Sequence, residues 1–178
     1  MAIDDSGDWR YLAAYVYGLV PIDEFEHWLY ASPRLEHLLG VDRYLELIAF
    51  DFHQPHARHE LVSLLHAAFL ERRPGQVERD VAQWVAGGYL DGRIDLQTTS
   101  RLLAQLRADS NDWVPSEFAY IDSELDDIPL PAQYHEWDPE ALAEKLRKSK
   151  PRLRAFESGA QAAAKAMLDA LEGEARGA

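Results

Sequence analysis

Apolar residues recur at intervals of three and four positions along most of this chain, which is the spacing that places side chains on one side of an α-helix. The clearest stripe predicts a helix from about Pro55 to Arg72. Its buried side is predicted to hold Ala57, Leu61, Leu64, Leu65, Ala68 and Phe69. Alternating β-branched residues, which indicate strands, are essentially absent. The pattern therefore predicts an all-α protein.

Residues that end or begin helices separate the apolar stripes into short segments. Gly18 and Gly40 stand where helices are expected to end, and Asp95 stands where one is expected to begin. A further stripe consists of Val41, Tyr44, Leu45, Ile48 and Phe52. Short connections between helices favour antiparallel neighbours. We therefore predict a compact multi-helix bundle built from helical hairpins, with residues 1–178 forming a single domain.

Prolines define the C-terminal helices of this prediction. Pro139 follows Asp138 at the start of one helix, and Pro151 is expected to begin the last one, because the first turn of a helix accepts proline. The last helix is predicted over residues 151–172, and the tail from Glu172 to Ala178 is expected to fray. Its apolar residues are Phe156, Ala160, Met167 and Leu171. This narrow stripe predicts docking against the remaining helices.

Acidic residues are concentrated in one segment. The net charge of the chain is −13, and residues 108–144 hold 11 Asp and Glu but no Lys or Arg. Helical periodicity weakens in the same region, where prolines stand at 115, 129 and 131. We predict that residues 108–138 are irregular, with a turn of helix set within an acidic loop near 110–137.

The charge restricts the class of partner. A negative field repels phosphate backbones and anionic lipids, so we expect neither direct nucleic-acid binding nor membrane binding. A basic protein is the natural complement, because exposed carboxylates steer its approach while aromatic rings provide buried anchors. The predicted partner-binding residues are Trp113, Glu117, Tyr120, Asp122, Glu124, Asp126, Asp127, Tyr134 and Trp137.

The composition of the acidic segment also fits other roles. Its aromatic and apolar residues could instead pin an irregular loop to the helical core while the acids face water. That structural role would fall to Trp113, Phe118, Ile121, Leu125 and Trp137. The acidic run beginning at Asp122 fails as a calcium loop, because Asp127 stands where the turn requires glycine and Gln133 stands where a bidentate Glu belongs. Nothing in the sequence indicates a catalytic acid and base here.

A histidine-rich stretch provides the alternative function. His56 and Glu60 stand one helical turn apart and could share a metal ion, with His53 or His59 as a third ligand, so the alternative function is a metal-dependent hydrolase that uses His53, His56, His59 and Glu60. Their order matches neither His-Glu-x-x-His nor His-x-x-Glu-His. Phosphate-binding glycine motifs and the serine-hydrolase motif are absent, and the chain has no cysteine. We therefore expect no cofactor and no catalytic residue.

The N-terminal residues are acidic where a signal peptide carries positive charge, and no apolar run reaches the roughly 20 residues that cross a bilayer. We expect a cytoplasmic protein that is a monomer or a weak homodimer.

Three stretches resemble segments of small bacterial toxin-immunity proteins, including those of colicins and contact-dependent inhibition systems. They are residues 21–30, beginning Pro-Ile-Asp-Glu-Phe, residues 44–52, beginning Tyr-Leu-Glu-Leu-Ile, and residues 121–129, beginning Ile-Asp-Ser-Glu-Leu. The resemblance implies a helical, non-catalytic protein that binds and blocks a cognate toxin. The paired tyrosines by which DNase-colicin immunity proteins bind are absent, so no contact residue is carried over. We predict an immunity-like inhibitory module that neutralises a basic partner protein.

Overall fold

The computed structural model describes residues 6–32, 34–109, 111–128 and 138–177. Within these ranges the chain forms nine helices and no strand, which confirms the all-α prediction. The helices are α1 (Ser6–Val16), α2 (Ile22–Ala31), α3 (Leu35–Leu39), α4 (Val41–Ile48), α5 (Ala57–Arg72), α6 (Val77–Leu90), α7 (Leu96–Ala108), α8 (Ser116–Leu125) and α9 (Pro139–Gly177). None of the helices so described is both long and apolar enough to cross a membrane.

The chain divides into two compact units, Met1–Trp84 and Val85–Ala178, and the division falls inside α6. Each unit has its own set of buried side chains. The single domain stays a prediction.

The core of the first unit is rich in aromatic rings. Tyr15 stacks on Phe25 with ring centroids 4.0 Å apart, and Trp9 packs against Phe69 at 4.9 Å. Below the Tyr15 ring, the guanidinium of Arg58 donates hydrogen bonds to the backbone oxygens of Tyr15 (2.8 Å) and Val20 (3.3 Å). These bonds satisfy carbonyls at the end of α1 and in the turn that follows it.

The predicted α5 stripe is buried, except that Leu64 is only half-buried. The stripe in α4 behaves differently. Val41 and Leu45 are 54% and 56% exposed, and Leu47 is the buried residue of this helix. On the opposite side of α4, Arg43 pairs with Glu71 of α5 at 2.6 Å. Arg43 and Leu47 lie on the side of α4 opposite Val41 and Leu45. Of the other residues of the predicted stripe, Tyr44 and Ile48 are half-buried and Phe52, beyond the end of the helix, is 6% exposed, so the stripe is exposed only in part.

The second unit is built from the end of α6 and from α7, α8 and α9. Gly92 adopts φ 76° and ends α6, and the backbone N–H groups of Gly92 and Arg93 donate to the carbonyls of Tyr89 and Gly88. Asp95 then caps α7 by accepting from the N–H of Thr98 at 2.7 Å, as predicted. The predicted stripe of the last helix, Phe156, Ala160, Met167 and Leu171, is buried.

The C-terminal helices were predicted incorrectly in one respect. Pro151 does not begin a new helix over residues 151–172, because α9 runs without interruption from Pro139 to Gly177, past Glu172, where fraying was expected. A proline inside a helix removes one backbone hydrogen bond and costs about 3 kcal/mol. The residues on both sides of it are good helix formers, and the buried stripe that begins at Phe156 holds the following turns in place.

The acidic segment is more ordered than predicted over part of its length. Between Ser116 and Leu125 it forms a ten-residue helix, which is longer than the single turn expected. Residues 111–115 before it are irregular, as predicted. Residues 129–137 lie outside the described part of the chain, so the rest of that loop prediction is not decided.

Candidate protein-binding surface on helix α8

One side of α8 anchors it in the second unit. Phe118, Ile121 and Leu125 repeat at helical spacing and are 0%, 3% and 4% exposed. Ile128, in the turn that follows, continues the same stripe and is buried too. This confirms that Phe118, Ile121 and Leu125 attach the segment to the helical core, which is the structural role described for them under the sequence. The charged residues of α8 therefore lie on the remaining half of its surface.

The connection from α7 fixes the start of α8. Arg107 donates to the backbone oxygen of Asp112 at 3.2 Å and also to that of Val114. Asn111 donates to the backbone oxygen of Leu106 at 2.8 Å and accepts from the indole N–H of Trp113 at 3.2 Å. These bonds tie a short, irregular connection to the end of α7 and leave Trp113 half-buried.

Three carboxylates on α8 and its C-terminal turn are exposed and form no ion pair within the described residues: Glu117, Asp126 and Asp127. Glu117 lies in the first turn, where a negative charge stabilises the helix dipole. Asp126 and Asp127 lie at the opposite end, where a negative charge is unfavourable. Helix stability therefore accounts for Glu117 but not for these two aspartates.

Asp122 is half-buried on the same side of α8 as Asp126. Partial burial raises its pKa above the ordinary value, repulsion from Asp126 raises it further, and Arg101 opposes the shift. The carboxylates here are thus close enough to repel one another. A cation bound beside them would relieve that repulsion.

Glu124 and Tyr120 face α9. Glu124 forms an ion pair with Arg152, so its charge is largely neutralised inside the second unit. Tyr120 contacts Phe156 edge-on with ring centroids 6.0 Å apart, yet it stays 60% exposed. Of the predicted interface, Glu124 is therefore already engaged, whereas Tyr120 still presents much of its ring to solvent.

The structure thus places six of the nine predicted partner-binding residues on α8 or the turn that follows it, and Trp113 just before it. Tyr134 and Trp137 lie outside the described residues, and their predicted roles stay predictions. The surface formed by Glu117, Tyr120, Asp122, Asp126 and Asp127 is called the α8 acidic surface below.

The histidine-rich stretch lies at the start of α5. His53, His56, His59 and Glu60 are all exposed, and His56 adopts a left-handed backbone conformation (φ 69°) as the N-cap residue. Glu60 accepts a hydrogen bond from the Gln54 amide at 2.9 Å. No three His, Asp or Glu side chains in the described part of the chain are grouped so that they could hold a metal ion. The structure does not bring the four candidate ligands together.

Sequence reasoning missed a shallow cavity of about 330 Å³ at the N-terminus of α4. Arg43 lines the cavity, and its guanidinium donates hydrogen bonds to Glu46 (2.8 Å) and Glu71 (2.6 Å). Both acids are already paired there with Arg43. Glu71 is 28 residues from Arg43, so this part of the cavity could not be read from a local motif. The sequence signal nearest to this cavity was Gly40, a residue that favours a sharp turn. It lies at the edge of the cavity and turns the chain between α3 and α4 with φ 83°.

No protein-family model matches this chain, and neither the curated proteins nor the solved structures contain a significant match to it. The α8 acidic surface therefore has to be interpreted from its own chemistry.

Proposed function

We propose that this protein is a non-catalytic binding module that neutralises a basic partner protein through the α8 acidic surface. The observation that carries the proposal is the pair Asp126 and Asp127, which are exposed, lack an ion pair among the described residues and lie at the helix end where negative charge is unfavourable. These charges lower the stability of the helix, and a cationic ligand bound beside them would offset that loss.

The binding mechanism has an electrostatic and an apolar part. Long-range attraction between the acidic chain and a basic surface accelerates encounter. Tyr120 then supplies an aromatic ring of which 60% is exposed, and burial of such a ring is a common source of binding energy. The buried residues beneath the surface hold these groups on a fixed helix, so little order has to be gained on binding.

The resemblance to bacterial immunity proteins supports a specific version of this proposal. In that version the basic partner is a toxin, the complex forms in the cytoplasm, and the partner is encoded beside this protein. The product of the neighbouring gene is therefore the first partner to test.

The test measures binding of that product by calorimetry to the wild-type chain and to charge-reversed variants. Asp126→Lys combined with Asp127→Lys should weaken binding at least tenfold, since like charges would then face each other. The matched control reverses Glu157 and Asp169, which are exposed acids on α9, and changes the net charge by the same amount. The control should bind within about threefold of the wild-type protein.

Circular dichroism of each variant checks that the helices are intact. Equal weakening by both double variants would show that net charge, and not the α8 acidic surface, governs binding. A neighbouring product that does not bind at all would remove the immunity version. Retained binding by the folded Asp126→Lys, Asp127→Lys variant would remove the assignment to α8.

A further inference from the structure

The corner between α5 and α6, residues 70–76, contacts a buried carboxylate. Its Arg73 extends to Asp80 in the first turn of α6, where Nη1 lies 3.0 Å from Oδ2. Asp80 is 3% exposed, and Oδ2 accepts no hydrogen bond from the described residues. An ionised carboxylate is unfavourable in such a place, because it has left water without a full set of donors. Residues 70–76 are called the α5–α6 corner below.

Two cations act on Asp80 among the described residues: Arg73, at the end of α5, and Arg10 of α1. Arg10 is itself bonded to the side chain of Gln83 at 2.8 Å. Arg73 lies over Trp9, with Cζ 5.6 Å from the ring centroid. Burial raises the pKa of Asp80 to about 6 in spite of both arginines. Removal of the charge from water therefore outweighs the attraction of the two cations.

The α5–α6 corner itself is held weakly. None of its residues is buried. Glu71 pairs with Arg43 of α4, but an ion pair near the surface contributes little. Three backbone hydrogen bonds define the turn, and they run from the N–H groups of Arg73, Gln76 and Asp80 to the carbonyls of Phe69, Arg73 and Gln76. A segment without buried apolar side chains can open at a lower free energy than the whole unit.

We infer that the α5–α6 corner is a proton-controlled latch, which stays closed over Asp80 while that carboxyl holds a proton and opens more readily once the proton is lost. Opening moves Arg73 away and admits water to the carboxylate, which water hydrates better than the buried site does. It also uncovers the ring of Trp9 on which Arg73 lies. No residue of the α8 acidic surface takes part, so this inference is independent of the proposed function.

The size of the effect follows from the proton affinity of the two forms. The pKa of Asp80 is about 6 in the closed form and returns toward the ordinary value of 3.8 once water reaches the carboxylate. Because the closed form binds the proton more tightly, the opening constant rises with pH between about pH 4 and pH 6 and then levels. A difference of about two pH units between the two forms corresponds to a factor of about one hundred.

Amide hydrogen exchange of the full chain, followed by NMR between pH 4 and pH 7, measures the opening. The reporting amides are those of Arg73, Gln76 and Asp80, and each rate is divided by the rate of an unstructured peptide at the same pH. These normalised rates should rise about fiftyfold over this range, since part of the hundredfold factor lies below pH 4.

Two substitutions in the first turn of α6 assign the effect. Asp80→Asn removes the titrating group, so the normalised rates at the two pH values should agree within about threefold. Glu78→Gln is the matched control, because it removes one negative charge from the same turn and leaves Asp80 in place. It should keep the rise with pH. Circular dichroism checks that both variants retain their helices.

The amides of Leu29 and Leu65, two fully buried residues, distinguish opening of the corner from unfolding of the first unit. Their normalised rates should be at least about tenfold lower than those of the corner at each pH. Equal rates would show that the corner opens only when the whole unit unfolds, and this would overturn the inference. Corner rates that do not change with pH would overturn it too, as would a rise that persists in Asp80→Asn.

Discussion

At the scale of single residues, the most unusual group in the first unit is Asp80. Its side chain is 4% exposed, and an oxygen lies 3.0 Å from Arg73 Nη1 without the geometry of a hydrogen bond. Burial raises the pKa of Asp80 to about 6, although Arg73 and Arg10 oppose the shift. The cost of removing the carboxylate from water thus exceeds the attraction of its two cations.

This raised pKa predicts a dependence of stability on pH. Between about pH 4 and pH 6 the folded protein holds a proton on Asp80 that the unfolded chain releases, so raising the pH through this window lowers the free energy of unfolding, by about 2–3 kcal/mol. Above this window the contribution is constant. In Asp80→Asn it should be absent.

Urea unfolding of both proteins from pH 4 to pH 7 measures the effect. The free energy of unfolding of the wild-type protein minus that of Asp80→Asn should fall with rising pH up to about pH 6 and then level. A difference that stays constant, or that rises with pH, would contradict the assignment to Asp80.

Two adjacent glycines in α6 make a second prediction. A Cβ at Gly88 would lie 2.7 Å and 2.8 Å from two carbon atoms of Ile94, whose backbone N–H is bonded to the Gly88 carbonyl. A Cβ at Gly87 would meet nothing within 4 Å. Gly88→Ala should therefore lower the free energy of unfolding by about 1–2 kcal/mol, through overpacking.

Gly87→Ala is its control and should raise the free energy of unfolding by about 0.5–1 kcal/mol, because alanine favours the helix. Thermal or urea unfolding of the two variants gives the comparison. Stabilisation by both substitutions would show that Ile94 moves aside at little cost.

At the scale of elements, α4 shows that an amphipathic pattern does not fix which side of a helix is buried. The ion pair with Glu71 places Arg43 on the side of α4 that faces α5, and Leu47, one helical turn further on, is buried. Val41 and Leu45 are left exposed, although their spacing is that of a buried stripe. The arrangement of neighbouring elements overrides the pattern here.

A pair of leucines in α4 tests this arrangement. Leu47→Ala should lower the free energy of unfolding by about 2–4 kcal/mol, because it removes buried methyl groups and leaves a cavity. Leu45→Ala makes the same chemical change at a side chain that is 56% exposed and should cost less than about 0.5 kcal/mol. Equal costs in urea unfolding would show that Leu45 is covered in solution.

Helix α9 also illustrates how packing decides an element. The rule that proline ends a helix predicted a boundary at Pro151, but the cost of one interior proline is small compared with the burial of a long apolar stripe. Six residues of α9 from Phe156 to Leu171 are buried. Their packing holds the second half of the helix, and the first half continues it in register.

At the scale of the whole molecule, the distribution of charge along the chain is more informative about its surface than the net charge. The net charge of −13 favours basic partners, and the α8 acidic surface agrees with it. Residues 145–154 of α9 have the opposite charge in the same unit, and Glu124 with Arg152 is an ion pair that joins the two helices. The net charge therefore does not describe every part of the surface.

The sequence by itself determined the helical class, the cap at Asp95, the buried side of α5 and the apolar stripe of the last helix. These features are local: spacing of three and four residues and the hydrogen-bonding capacity of a cap residue act within a few turns of chain. The acidic, aromatic character of residues 113–127 could be read in the same way, as could the anchoring of α8 by Phe118, Ile121 and Leu125.

Tertiary structure alone decided which of these groups are free to act. It engaged Glu124 with Arg152 and left Asp126 and Asp127 exposed. Among the described residues it did not group the histidine-rich side chains into a metal site, and it left Val41 and Leu45 of α4 exposed. Each outcome depends on residues distant in sequence, because burial and ion pairing are set by what packs opposite a side chain and not by its neighbours along the chain.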